Sequence, residues 1–194
     1  MVELRTDGNG WHFLQSDRRL RWGSEEVVKV GKTITVDCQP VLCEQGLHWS
    51  SKALDALRYA PGPIACRIIG GGPVVHGDDK SAGTERTALA MVDATELLDQ
   101  FARACALSVV HLWDTPDVVM EFLLGDQTKR AAAGAAAWAA AGDAAGAAAR
   151  AAARAAAGAA AWGAAWDEGW AAANDVLEDA LYDLMEVDDE MPRN

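Results

Sequence analysis

From Ala131 to Asn174 the chain is written in fours: AAAG, AAAW, AAAG, DAAG, AAAR, AAAR, AAAG, AAAW, GAAW, DEGW and AAAN. Three of every four positions are mostly alanine, the best helix former and a side chain with no chemistry of its own. The tract therefore predicts a helical surface rather than an active site. A period of four exceeds the 3.6 residues of a helical turn, so the ridge of fourth positions precesses by roughly 40° per tetrad, and one fixed partner face cannot serve its whole length. As one helix, residues 126–186 would span roughly 90 Å. The alternative is a hairpin broken near Gly142, where glycine can end a helix and Asp143 can cap the next. Alanine surfaces let backbones approach closely, with Gly134, Gly146 or Gly158 as notches for tryptophan knobs. A solvated low-complexity spacer is the plainer reading. Four tryptophans, Trp138, Trp162, Trp166 and Trp170, weigh against it.

The composition changes after Arg130, which divides the 194 residues into an α+β head at 1–125, an Ala-rich helical arm at 126–186 and an acidic flexible tail at 187–194. The net charge of −12 is concentrated at the end. Asp167 to Glu190 carries ten carboxylates and no lysine or arginine. That segment repels nucleic acid and suits a basic protein surface, although a solvated face that keeps an alanine-rich chain soluble has the same composition. Trp162, Trp166, Trp170, Leu177, Leu181 and Leu184 make a helical seam with the acids on its other side, either core packing or an exposed recognition face. No run is apolar enough for a membrane span, and MVELRTDGNG lacks the apolar core of a signal peptide. Cys38, Cys43, Cys66 and Cys105 are accordingly expected as reduced thiols in a cytoplasm.

The head reads as a small antiparallel sheet with helices. Trp11 to Gln15 and Arg19 to Trp22 alternate around a polar turn as a hairpin would, and Val27 to Val30 pairs with Thr33 to Val36 around Gly31. A helix opens at Ser50 or Ser51 and ends before Pro61. Cys66 to Ile69 and Pro73 to His76 read as strands flanking three glycines, and Arg86 to Val92 as another. Asp93 to Glu96 forms a capping box for a helix to about Ala106, and Thr115 and Pro116 begin a short helix ended by Gly125.

The runs GLHWSSKALDALRYAPGPIACRI and VVHGDDKSAGTERTALAMVDATELLDQFARACALSVVHLWD, followed by the tetrads and a leucine-rich end, resemble a family of uncharacterised phage, prophage and bacterial proteins. The resemblance extends from about Trp11 to Met185, and its ordered phrases are Gly46-Leu47-His48, Asp55 to Ala60 with Gly62-Pro63, and Gly77-Asp78-Asp79-Lys80. Similar proteins carry more aspartates in the tetrads, which here are sparse before Asp167. The family has no established activity, so the resemblance implies a mobile-element context and no mechanism.

Two constellations could carry chemistry. Cys38, Cys43, His48 and Cys66 offer four soft ligands, but the spacing lacks a tight Cys-x2-Cys knuckle, and no metal is expected. Asp78, Asp79 and Lys80, flanked by His76 and Glu85, form the densest polar cluster, usable for magnesium or acid–base work, yet such a phrase after a strand is more often a turn. His48 is either a base or cofactor contact or a structural histidine bonding a turn, and its phrase, ahead of a short helix, resembles the start of ADP-ribosyltransferase-like folds. Gly70 to Gly72 are followed by proline and a strand, which excludes a phosphate loop.

The expectation is a cytoplasmic, non-enzymatic, cofactor-free accessory protein that inhibits a host defence system in the manner of an anti-CRISPR protein. It would form a homo-oligomer or dock through its arm on a host defence protein with a basic surface, without touching nucleic acid or membrane. Its binding residues would be Trp138, Trp162, Trp166, Trp170, Asp167, Glu168, Glu178, Asp179 and Asp183. The alternative is a small enzyme or nucleotide-binding head centred on His48, His76, Asp78, Asp79 and Lys80. A virion or assembly component is a third option.

Overall fold

A computed structural model describes residues 8–21, 25–112, 114–137 and 159–185. In chain order the elements are β1 (Asn9–Leu14), β2 (Thr33–Thr35), β3 (Leu47–Trp49), α1 (Ala53–Leu57), β4 (Ile64–His76), β5 (Ser81–Asp93), α2 (Thr95–Val109), α3 (Asp117–Leu123), α4 (residues 130–137) and α5 (Ala159–Leu184). The chain falls into two compact units: Met1–Leu98 with Ala172–Asn194, and Asp99–Ala171. The α+β class is as expected, but the later part of α5, residues 172–184, belongs with the head. Among the described residues no helix is long and apolar enough to cross a membrane.

The first unit is organised by the β4–β5 hairpin, an antiparallel ladder running from Ile64↔Asp93 to His76↔Ser81. β1 pairs with the outer edge of β4, from Asn9↔Ile69 to Leu14↔Ile64. Along the outer edge of β5 lie β3, opposite Ser81 to Gly83, and β2, opposite Glu85 to Thr87. The pairing then closes on itself. Just past β3, Ser50 exchanges both backbone hydrogen bonds with Trp11 of β1, at 2.7 and 3.0 Å. Register shifts at Arg67/Ile68 and Gly71/Val74 accompany this closure, since bulges bend a strand and increase its twist.

Two expected hairpins are replaced by longer-range pairings. Arg19 makes a lone bridge to Val27, and Val30 makes one to Ala88, while β1 and β2 take partners fifty or more residues away. The reason is burial. β1 presents apolar side chains on both faces, and the exposed segment at Arg19 has little to cover them with, whereas the part of β4 that pairs with β1 is buried from Ile64 to Ile68. Cys66 to Ile69 and Pro73 to His76 are likewise one bulged strand rather than two.

On one face of the sheet Leu14, Ile34, Leu47, Trp49, Ile64, Cys66, Ile68 and Ala88 form the core. On the other, Trp11 stands edge-on to Tyr182 of α5, with ring centroids 5.2 Å apart. Leu177 and Leu181 of the same helix are fully buried. The core reading of the leucine seam therefore holds for these two, while Leu184 is exposed.

In the second unit Val119, Leu123 and Ala133 are buried together, with Ala106, Leu107, Phe122, Ala136 and Ala137 packed around them. The first tetrads thus cover α3 with alanine methyl groups. No described atom lies within 4 Å of a side chain added at Gly134. Gly142, Gly146, Gly158, Trp138, the side chains of Trp162 and Trp166, and residues 187–194 lie outside the described residues.

Candidate functional site

The head encloses its chemistry around Trp49, whose indole lies over glycines. A Cβ added at Gly70 would meet the Trp49 ring at 2.3 Å, one at Gly10 at 2.5 Å and one at Gly83 at 2.9 Å. These glycines come from β4, β1 and β5, and they make a floor on which an indole, 3% exposed, can lie flat against backbone. Gly70, the first of the three consecutive glycines, is thus part of a seat for a tryptophan, whereas Gly71 and Gly72 face Glu85 and Thr84.

Beside Trp49, His48 is held at both ring nitrogens. Nε2 accepts the backbone N–H of Cys43 at 3.0 Å and Nδ1 donates to the Gly46 carbonyl at 3.1 Å, a pairing that sets the proton on Nδ1. Burial lowers its pKa, and the Lys80 and Arg86 charges act the same way. The structural-histidine reading is the one the geometry fits. Cys43, in the left-handed region at φ 67°, supplies this turn with its N–H.

The hairpin tip is the turn read in Gly77 to Lys80, closed by the Gly77 N–H on the Lys80 carbonyl at 2.8 Å. Asp79 accepts from the Tyr59 hydroxyl at 2.5 Å and from Arg58 at 3.5 Å, and the Lys80 ammonium sits 3.8 Å above the Tyr59 ring. His76 pairs with Ser81 at 2.9 Å, and Asp78 is exposed. Cys66 is buried within the core and Cys43 is exposed. Among the described residues no three His, Cys, Asp or Glu side chains are grouped to hold a metal.

What the head does bring together is a cavity of about 790 Å³. β1 contributes His12 and Leu14, β3 contributes Leu47 to Trp49, and Tyr59 and Lys80 stand at its edge with Arg21 and Glu44. Arg86 of β5 completes the wall. Of the residues expected in a head site, His48 and Lys80 line this cavity and His76, Asp78 and Asp79 do not. No family model matches the chain, and no curated protein or solved structure matches it either.

Among the described residues of the head two arginines are buried, and their surroundings differ. Arg67, 1% exposed, lies 5.3 Å from the Trp11 ring and 5.8 Å from that of Tyr182, with Glu178 contributing a favourable charge. Arg86, 4% exposed, donates to the His48 carbonyl at 2.6 Å, and among the described residues no carboxylate pairs with it. Burial lowers its pKa to about 10, which leaves the guanidinium charged at neutral pH. His12, also on the cavity, is held neutral by burial and by the charges of Arg86 and Arg21. Among the described residues the lining therefore carries three cations, Arg21, Lys80 and Arg86, against the single carboxylate of Glu44, in a chain of net charge −12.

His12, Arg21 and Arg86 were not singled out from sequence. A charge at the start of the strand read from Arg86 to Val92, whose later residues Ala88 to Val92 are all apolar, was the available signal for Arg86, because a buried strand rarely accepts a charge without a task or a partner.

The acidic segment divides by helical face. Glu178 points inward, accepting from the Ala53 N–H at 2.8 Å and from Asn174 Nδ2 at 3.0 Å, while Asn174 Oδ1 accepts from the Leu54 N–H at 3.0 Å. These two side chains satisfy amides in the first turn of α1, whose preceding Lys52 offers no side-chain cap. Asp179 and Asp183 are exposed and Trp170 is half-buried. For Trp162, Trp166, Asp167 and Glu168 only the helical backbone belongs to the described residues.

Proposed function

We propose that the head binds a small anionic molecule in the cavity between β1, β3 and Arg86. The observation that supports this reading is the pairing of Arg86: a buried guanidinium on the wall of a ligand-sized cavity, hydrogen-bonded to one backbone carbonyl and with no carboxylate partner among the described residues. Burying an uncompensated cation costs several kcal/mol or more, and an anion entering the cavity would recover part of that cost. The test is equilibrium dialysis of the full chain against a bacterial small-molecule extract, read by mass spectrometry. The wild type should retain an anion that Arg86→Gln releases. Equal retention by both proteins would refute the assignment.

A second reading, docking on the basic surface of a host defence protein, is supported by a different observation. Asp175, Asp179 and Asp183 are exposed at four-residue spacing on α5, beside exposed Val176 and Leu184. Reversal of these three aspartates to lysine should abolish such docking with the melting temperature retained. Unchanged docking to the host defence complex would eliminate the acidic face as the contact.

A further inference from the structure

We propose that the ligand of the head cavity is a phosphate monoester carried on an apolar or aromatic body, an inference that rests on the anion-binding reading and narrows it. Three observations carry it. The first is charge. Among the described residues Arg21, Lys80 and Arg86 face the cavity with Glu44 as their one opposing carboxylate, so a dianion balances this lining and a monocarboxylate leaves a cation over. Asp79, which does not line the cavity, is engaged by Tyr59 and balanced by Arg58. Neither His48, bonded at both nitrogens, nor His12, held neutral, alters the count.

The second is geometry. Arg86 spends one N–H on the His48 carbonyl, and a guanidinium carries five in a planar fork that matches two oxygens of a phosphate at once. The third is size and lining. A cavity of about 790 Å³ is far larger than inorganic phosphate requires, and Leu14, Leu20, Val36, Leu47 and Pro61 supply apolar wall for whatever the phosphate is attached to.

The experiment is isothermal titration of the full chain with phenyl phosphate, AMP, benzoate, adenosine and inorganic phosphate. Phenyl phosphate or AMP should bind at least about ten-fold more tightly than benzoate, adenosine or inorganic phosphate, the equivalent of about 1.4 kcal/mol. The substitutions Lys80→Ala and Arg21→Ala, at a half-buried and an exposed side chain outside the packed core, should each weaken the ester about ten-fold and leave benzoate nearly unchanged. Arg86→Lys should weaken it further. Benzoate binding as tightly as phenyl phosphate, with Arg86 still required, would overturn the phosphate assignment and leave the anion site standing. Inorganic phosphate matching the esters would overturn the apolar body. Failure of every anion to bind would overturn both this inference and the reading beneath it.

Discussion

The carboxylate of Glu178 accepts a hydrogen bond from the backbone N–H of Ala53, 125 residues earlier in the chain, at 2.8 Å. Together with Asn174 on the Leu54 amide, it makes the C-terminal helix the cap of a five-residue helix that has no side-chain cap of its own. A helix this short is not stable on local propensity, so its geometry depends on α5.

Glu178→Ala and Asn174→Ala should each lower stability by about 1–2 kcal/mol, the usual cost of a lost cap, and the double variant should fall short of the sum because Asn174 also donates to Glu178. Chemical denaturation of the four proteins measures this. An unchanged midpoint for both single variants would show that α1 does not depend on these caps.

Gly70→Ala should destabilise the head by about 1–3 kcal/mol, since its Cβ would meet the Trp49 ring at 2.3 Å in a packed core. Gly71→Ala, one residue on, meets nothing closer than the Glu85 side chain at 3.5 Å and serves as the control. Near-ultraviolet circular dichroism should change for the first variant alone.

Acid should weaken the fold through its histidines. Burial, helped by Arg86 and Arg21 for His12 and by Lys80 and Arg86 for His48, places both imidazoles below the usual 6.5. Below that pH the unfolded chain takes up protons that the folded chain refuses, so stability is full above about pH 6.5 and declines as pH falls toward the depressed folded values. Denaturation midpoints between pH 7.5 and 5 should show the decline, and His12→Gln should reduce it. A midpoint that rises on acidification would reverse the assigned direction.

The thiols should separate by burial. Cys43 and Cys105 are exposed and Cys38 half-buried, whereas burial raises the Cys66 pKa to about 12. A brief iodoacetamide pulse read by peptide mass spectrometry should label Cys43 and Cys105 in the native protein and reach Cys66 only when the protein is unfolded. Native labelling of Cys66 at the rate of Cys43 would show that the core opens readily.

Local signals were legible wherever the physics is local. The turn at Gly77 to Lys80, the helix stop ahead of Pro61, the short helix before Gly125 and the start of α2 beyond Asp93 are each written in a few adjacent residues. Asp93 does bond forward, accepting from Thr95 N and Oγ1 at 3.0 and 2.6 Å. The structural histidine was readable in the same way, because both of its partners, Cys43 and Gly46, lie within five residues.

The amino-acid order by itself determined the α+β class of the head, its punctuation and the helical character of the first and last tetrads. The pairing of strands and the site were decided in three dimensions. Alternation shows that Trp11 to Leu14 has two faces but not that both are buried, and the choice of β4 over the nearer Arg19 segment follows from how much apolar surface each could cover. The cavity has the same origin: His12, His48, Lys80 and Arg86 are up to 74 positions apart and meet only because β1, β3 and β5 close around Trp49. Whether a buried charge has a counterion depends on every element packed against it, so the contrast between Arg67 and Arg86 exists only in the folded chain.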